Sequence, residues 1–282
     1  MRSGFVTLAG RSNVGKSTLL NALCGTKAAI TSPLPQTTRT PIRGIINDPR
    51  GQAVVIDAPG IFESAHGPLT RQVNAAARDA LHGVDLILYV VDPTRDVGTE
   101  EHRIATLIRA TGVPVVLVVN KADLPSHKRK WRHQYLDIIP NVVGVHDVSA
   151  GKNQHLTPLV DAIFAHLPEG EAHYPTTQRA DVPKDFWIAE IIREKIFLTM
   201  TDEIPYTTAV RVDDIAEREN GTLAIAARIL TTNPRYRKML IGSGATRIKQ
   251  IGQMARKDLE IALSRPIYLE LHVHVDEKWV QR

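Results

Sequence analysis

Over the first 167 positions, apolar residues come in short unbroken runs. Phe5-Val6-Thr7-Leu8-Ala9, Ala53–Asp57, Asp85–Asp92 and Val113–Asn120 are nearly continuous apolar stretches, and Val142–Val148 is a further short one. Strands of this kind are buried on both faces, as in a parallel sheet covered by helices. Helical periodicity falls between them, near 17–23, 70–82, 99–111 and 127–138, with a last helix near 155–167. The alternation predicts a doubly wound α/β domain with a mixed sheet. Asp57, Asp92 and Asn120 mark the carboxyl tips of strands, where such sheets bind ligands.

The pattern then changes. Pro168, Gly170, Pro175 and Pro183 lie among polar residues and read as a linker over 168–185. Beyond it, Ile188, Ile191, Ile192, Ile196 and Phe197 form a helical stripe. Thr207–Asp213 and Thr222–Leu230 alternate like a hairpin, joined through Arg218-Glu219-Asn220-Gly221, whose Asn-Gly pair is a strong turn signal. Helical segments flank Gly242–Gly244, and Ile267–Val275 reads as a closing strand. The organisation is thus an α/β domain at 1–167, a linker, and a smaller α+β domain at 186–282.

Composition narrows this only a little. A length of 282 residues with 43% hydrophobic content suits two domains with real cores. The absence of an apolar run near 18 residues excludes a membrane-spanning helix of the usual kind. Met1–Gly4 lead directly into the first expected strand, so no signal peptide is expected. The single cysteine, Cys24, is expected to be a small buried residue in a reducing compartment. The net charge of +5 is a weak pointer to an anionic partner.

The chemistry lies in four motifs. Gly10-Arg11-Ser12-Asn13-Val14-Gly15-Lys16-Ser17 fits the phosphate-binding P-loop, set between a strand tip and a helix N-terminus. Its candidate nucleotide contacts are Gly10, Asn13, Val14, Gly15, Lys16, Ser17 and Thr18, with Lys16 on the β- and γ-phosphates and Ser17 on Mg²⁺. Asp57-Ala58-Pro59-Gly60 supplies a carboxylate that can hold Mg²⁺ through water and an N–H at Gly60 that can sense the γ-phosphate. In Asn120-Lys121-Ala122-Asp123, Asp123 can accept two hydrogen bonds from guanine, and adenine has no such donor pair; Lys121 would cover the base. A P-loop enzyme that uses ATP is disfavoured on this ground. Ser149-Ala150 can meet the guanine O6. Between the first two motifs, Gln36-Thr37-Thr38-Arg39-Thr40 holds a threonine expected to close onto Mg²⁺; Thr38 is the first choice and Thr37 the second.

In these motifs the chain resembles the Era family of GTPases. The second half resembles that family's KH domain, of type II, through Glu190–Lys195, Lys238-Met239-Leu240-Ile241-Gly242, Ile248–Gly252 and Ala255–Leu259. The resemblance implies a cytoplasmic, monomeric GTP-hydrolysing factor that binds GTP or GDP and 16S rRNA near its 3′ end and assists assembly of the 30S subunit. It also admits peripheral association with the inner membrane face. It implies that Asn13 helps hold K⁺ near the β/γ bridge, so that Lys16, Thr38, Asp57, Gly60 and Asn13 are the catalytic set.

The position just after Asp57–Gly60, where many GTPases carry a water-orienting glutamine, holds Ile61 and then Phe62. Slow intrinsic turnover is expected, and a constitutive RNA-binding protein with a structural GTP site is the competing expectation. In the second domain no Asp or Glu occurs from Asn220 through Lys257, while Arg228, Arg235, Arg237, Lys238, Arg247, Lys249, Arg256 and Lys257 do. The family's G-x-x-G loop falls on Gly242-Ser243-Gly244-Ala245, with alanine at its last place. Arg237, Lys238, Gly242, Ser243, Gly244, Arg247 and Lys249 are the candidate RNA contacts. The chain's last residues, Trp279-Val280-Gln281-Arg282, follow soon after the final strand, a shorter ending than the family often has.

Overall fold

The computed structural model describes residues 1–35, 37–60, 68–139 and 142–279. They divide into two compact units, Met1–Ala29 with Thr38–Asp181, and Ile30–Thr37 with Val182–Arg282.

The first unit is a seven-stranded sheet with helices on it. Strands β1 (Arg2–Ala9), β2 (Ile42–Asp48), β3 (Gly51–Asp57), β4 (Leu86–Val91), β5 (Val115–Val119), β6 (Gly144–Asp147) and β7 (Ala180–Asp181) lie in the order β6-β5-β4-β1-β3-β2-β7. The middle of this sheet is parallel: β1 pairs with β3 and β4, and β5 pairs with β4 and β6. Every residue of β4 and β5 is buried, as unbroken apolar runs require. Helices α1 (Lys16–Cys24), α2 (Pro68–Asp79), α3 (Thr99–Thr111), α4 (Arg132–Ile138) and α5 (Leu156–His166) connect the strands. The core includes Ile87, Tyr89, Ile104, Ile108 and Leu117.

Two strands were not legible in the sequence. β2 runs antiparallel to β3, which gives the sheet its expected mixed character, and β7, from the expected linker, pairs antiparallel with β2. β2 is disguised by Gly44, which breaks its apolar run. A Cβ at Gly44 would lie 2.4 Å from Cys24 Sγ, so the glycine lets strand and helix meet. Cys24 is buried, and burial pushes its thiol up to about 12, which makes it a packing residue and a poor nucleophile.

The second unit packs α6 (Lys184–Thr199), α7 (Pro234–Ile241) and α8 (Thr246–Leu263) with a three-stranded sheet of order β10-β9-β8. β8 (Thr208–Glu217) and β9 (Leu223–Thr231) form the expected hairpin, with a register shift between Val212 and Asp214. β10 (Ile267–Val275) pairs parallel to β9 from Ile267↔Leu223 to Val275↔Thr231. β9 alternates buried and half-buried residues along its length. Ile251, Ala255 and Leu259, four apart on α8, meet Ile188, Ile192, Ile225 and Ile229 in the core. Ile30, from early in the chain, is buried in this same core. Among the described residues, no helix is long and apolar enough to cross a membrane.

Candidate nucleotide and RNA sites

The sequence between β1 and α1 turns on residues with positive φ. Gly10 has φ 150°, Asn13 63° and Gly15 99°. At Gly15 a Cβ would stand 2.3 Å from Asn120 Nδ2, so the loop closes against Asn120 only because it has no side chain there. Asn120 ties three motifs together. Its Nδ2 donates to Val14 O at 2.8 Å, and its Oδ1 accepts the N–H of Lys121 at 2.8 Å and of Ala150 at 3.1 Å. Ser149 Oγ donates to Asp123 Oδ1 at 2.5 Å, which holds that exposed carboxyl below the ordinary carboxylate range. Lys121 Nζ pairs with buried Asp92 at 2.5 Å.

At the phosphate end, Lys16 is buried and its Nζ donates to Gly10 O and Arg11 O, both at 2.9 Å. Burial lowers its pKa to about 8, against the opposing pull of Asp57. Ser17 Oγ donates to Asp57 Oδ2 at 2.5 Å and lies 2.9 Å from Thr38 Oγ1. Thr38 Oγ1 also donates to Asp57 Oδ2 at 3.4 Å. Asp57 Oδ1 is buried with no partner among the described residues, and burial raises the carboxyl above its ordinary range. Two hydroxyls and an orphaned carboxylate oxygen are hard donors of the kind Mg²⁺ takes. Thr37 stands apart, with its hydroxyl turned onto Leu34 O at 2.8 Å. Gly60 lies against the P-loop, where a Cβ would stand 2.9 Å from Ser12 N. Thr18 follows on the first turn of α1. Ile61 and Phe62, like Gln36, lie outside the described residues.

The outer wall of the P-loop carries contacts that no motif signals. Arg11 pairs with Glu100 at 2.5 Å and with buried Glu101 at 3.3 Å, and Glu101 also accepts the Gly98 N–H at 3.0 Å. Arg95 Nη1 donates to Ser12 O at 3.3 Å.

In the second unit, α7 opens on Asn233, whose side chain accepts the Arg235 N–H at 2.8 Å. It ends at Gly242, with φ 73°, where a Cβ would press on the Arg247 N at 3.1 Å. Gly244 has φ 57° and Ala245 φ 62°. The alanine therefore takes the left-handed backbone that the family's glycine would adopt freely, at a cost of about 1 kcal/mol. Arg237, Lys238, Ser243, Gly244, Arg247 and Lys249 are exposed around this loop. Beside it runs an open groove of about 590 Å³, lined by Arg237, Ile241, Ile248 and the edge strand β10 at His272 and His274. The two histidines are additions that the sequence did not single out. Of the basic run, Arg228 is occupied, held by both guanidinium arms on Asp213 at 2.6 and 2.7 Å. Arg237 bonds Val273 O at 3.1 Å and Arg247 bonds Thr199 O at 3.1 Å, through one nitrogen each.

This geometry defines a class: a P-loop GTPase carrying a KH domain. A family model described as a 50S ribosome-binding GTPase matches residues 5–121, and a KH-domain model matches residues 203–280. The chain is 41% identical to GTPase Era of Trichlorobacter lovleyi, over all of this chain and 95% of that one. It is 42% identical to GTPase Era of Heliobacterium modesticaldum, over all of this chain and 94% of that one. Among solved structures it is similar to an Aquifex aeolicus Era variant bound to GDP·AlF4⁻, with a TM-score of 0.94 at 34% identity, covering all of this chain and 96% of that one. An Era complex with MgGDPNP and nucleotides 1506–1542 of 16S ribosomal RNA gives 0.93 at 34% identity, with the same coverage. The chain belongs to the Era family of GTPases.

Proposed function

We propose that the first unit binds and hydrolyses GTP, and that the second unit binds single-stranded RNA at the 3′ region of 16S rRNA in support of 30S subunit assembly. The observation that carries the reading is the Asn120 knot, which joins the P-loop, the Asn120–Asp123 motif and Ala150 into one prebuilt pocket rim. Asp123 then faces guanine as a double acceptor, and Lys16 exchanges its two carbonyl partners for phosphate oxygens.

Ser17 and Thr38 would hold Mg²⁺ directly and Asp57 through water, and the ion would neutralise charge on the β/γ oxygens. Phosphoryl transfer of this kind is mostly positioning and electrostatics. The P-loop N–H groups and the N-terminus of α1 orient the phosphates, and the Gly60 N–H meets the γ-phosphate. Asn13 would offer an amide oxygen to K⁺, which would stand in for charge supplied elsewhere by an arginine. Similarity to the Era complex with 16S rRNA supports the RNA assignment, and the Gly242–Ala245 loop, with positive φ at Gly242, Gly244 and Ala245 and four exposed cations beside it, fits a phosphate-gripping role.

The test is phosphate release from GTP and from ATP, in K⁺ and in Na⁺, together with binding of an oligonucleotide of the 16S 3′ sequence. GTP-selective hydrolysis, faster in K⁺, and submicromolar RNA binding are expected. Equal use of ATP would overturn the guanine assignment, equal rates in the two salts would remove the role of Asn13, and no RNA binding would overturn the second half.

A further inference from the structure

The threonine pair at 37 and 38 straddles the division of the molecule: Thr37 belongs to the second unit and Thr38 to the first. Within the second unit, the segment Ile30–Thr37 is held by two consecutive charged residues of α6, Arg193 and Glu194, with Lys195 paired beside them. Arg193 Nη2 donates to Thr37 O, and the same guanidinium is gripped by Glu190 through two bonds of 2.6 Å. Glu194 accepts the Thr31 N–H at 2.9 Å. Lys195 pairs with Glu194 at 2.6 Å and reaches Asp258 on α8 at 2.5 Å. Arg193, Glu194 and Lys195 are 2%, 2% and 4% exposed. Burying three charges costs several kcal/mol per ion before pairing, and apolar residues would serve stability at least as well. Here Arg193 and Glu194 hold backbone polar groups of one particular segment, and Lys195 ties Glu194 to Asp258.

We propose that Arg193 is a positioning residue for the GTP site. The Thr37–Thr38 peptide is planar, so holding its carbonyl oxygen restricts the position of the plane from which the Thr38 side chain departs. Thr38 Oγ1 is the hydroxyl that lies beside Ser17 and Asp57 in the first unit. Only a nucleotide with a γ-phosphate and its ion draws on Thr38, so the Arg193 grip contributes to GTP affinity and not to GDP affinity. The second unit thereby sets the GTP-over-GDP preference. By reciprocity GTP tightens Ile30–Thr37 on α6, which is tied through Lys195 to the helix that carries Arg247 and Lys249. The inference rests on the reading that the first unit binds Mg²⁺ and GTP.

The experiment uses the full chain with the pair removed together, Glu190→Gln with Arg193→Met, so that no buried charge is orphaned. Affinities for a non-hydrolysable GTP analogue and for GDP are measured with Mg²⁺, alongside thermal midpoint and RNA binding. The expected result is a loss of about tenfold for the analogue, GDP within twofold, and RNA affinity unchanged in the absence of nucleotide. Arg193→Lys, which keeps one donor, should restore part of the analogue affinity. Unchanged affinity for the analogue, or an equal loss for both nucleotides in a folded variant, overturns the proposal. If the variant does not fold, hydrogen exchange on the unmodified protein decides. The Thr31 and Thr38 amides must gain protection together with the GTP analogue and not with GDP, and unchanged protection overturns the proposal. Failure of the unmodified protein to bind the analogue at all is a different result, and it removes the underlying GTP assignment.

Discussion

The two sites are built on opposite principles. The nucleotide pocket is assembled from buried and half-buried polar side chains that are already bonded: Asn120 to three backbone groups, and Ser17 and Thr38 to buried Asp57. The RNA face is a strained loop among exposed cations, two of which hold one carbonyl each. The first recognises by geometry and tolerates little change. The second recognises by charge and degrades gradually. Affinity for guanine should therefore be brittle and nearly salt-independent, and affinity for RNA robust and salt-dependent.

The largest break in this contrast should come from Asp123→Asn. It leaves a guanine donor unpaired at a shaped site, and GTP affinity should fall roughly 100-fold or more, with xanthosine triphosphate gaining, as a competition titration would show. A retained preference for GTP would mean that Asp123 does not read the base. Next is the pH response of the nucleotide-free protein. Lys16 must be protonated to meet phosphate, and its pKa is about 8 against an ordinary value of 10.5. Binding therefore takes up a proton above pH 8, and affinity should weaken about tenfold from pH 7 to pH 9 by the ordinary titration relation. A flat profile would mean that Lys16 is charged before GTP arrives. On the RNA side, Lys238→Gln with Lys249→Gln should weaken binding several-fold and lower the salt slope by roughly 0.7 for each phosphate no longer neutralised, with no change in sequence preference. An unchanged slope would take both lysines out of the interface. The smallest effect is Ala245→Gly. Relief of the left-handed alanine should raise stability by about 1 kcal/mol in a denaturant titration, offset in part by the extra freedom glycine has when unfolded.

The brittle site was also the more legible one. A geometry-reading pocket needs fixed residue types at fixed spacings, so Lys16, Ser17, Asp57, Asn120 and Asp123 stand out from sequence alone. The charge-reading face leaves a looser trace. Arg228 counted in the basic run, yet Asp213, across the hairpin, occupies it. β2 was hidden because Gly44 serves a close approach to Cys24, and β7 because two residues carry no periodicity. The bracing of Arg11 by Glu101 and of Thr37 by Arg193 joins positions far apart in the chain, and no local pattern encodes such pairs.

Ile30 has a consequence for how the molecule is made. It leaves the translating ribosome long before α6 and the strands that complete the core it fills. During synthesis the nascent chain therefore carries an apolar side chain waiting for its socket. A protein cut after Asp181 keeps that side chain without its seat, and one begun at Val182 has the seat without its plug. Either half should be more prone to aggregate than the intact chain, so the two units depend on each other during biogenesis.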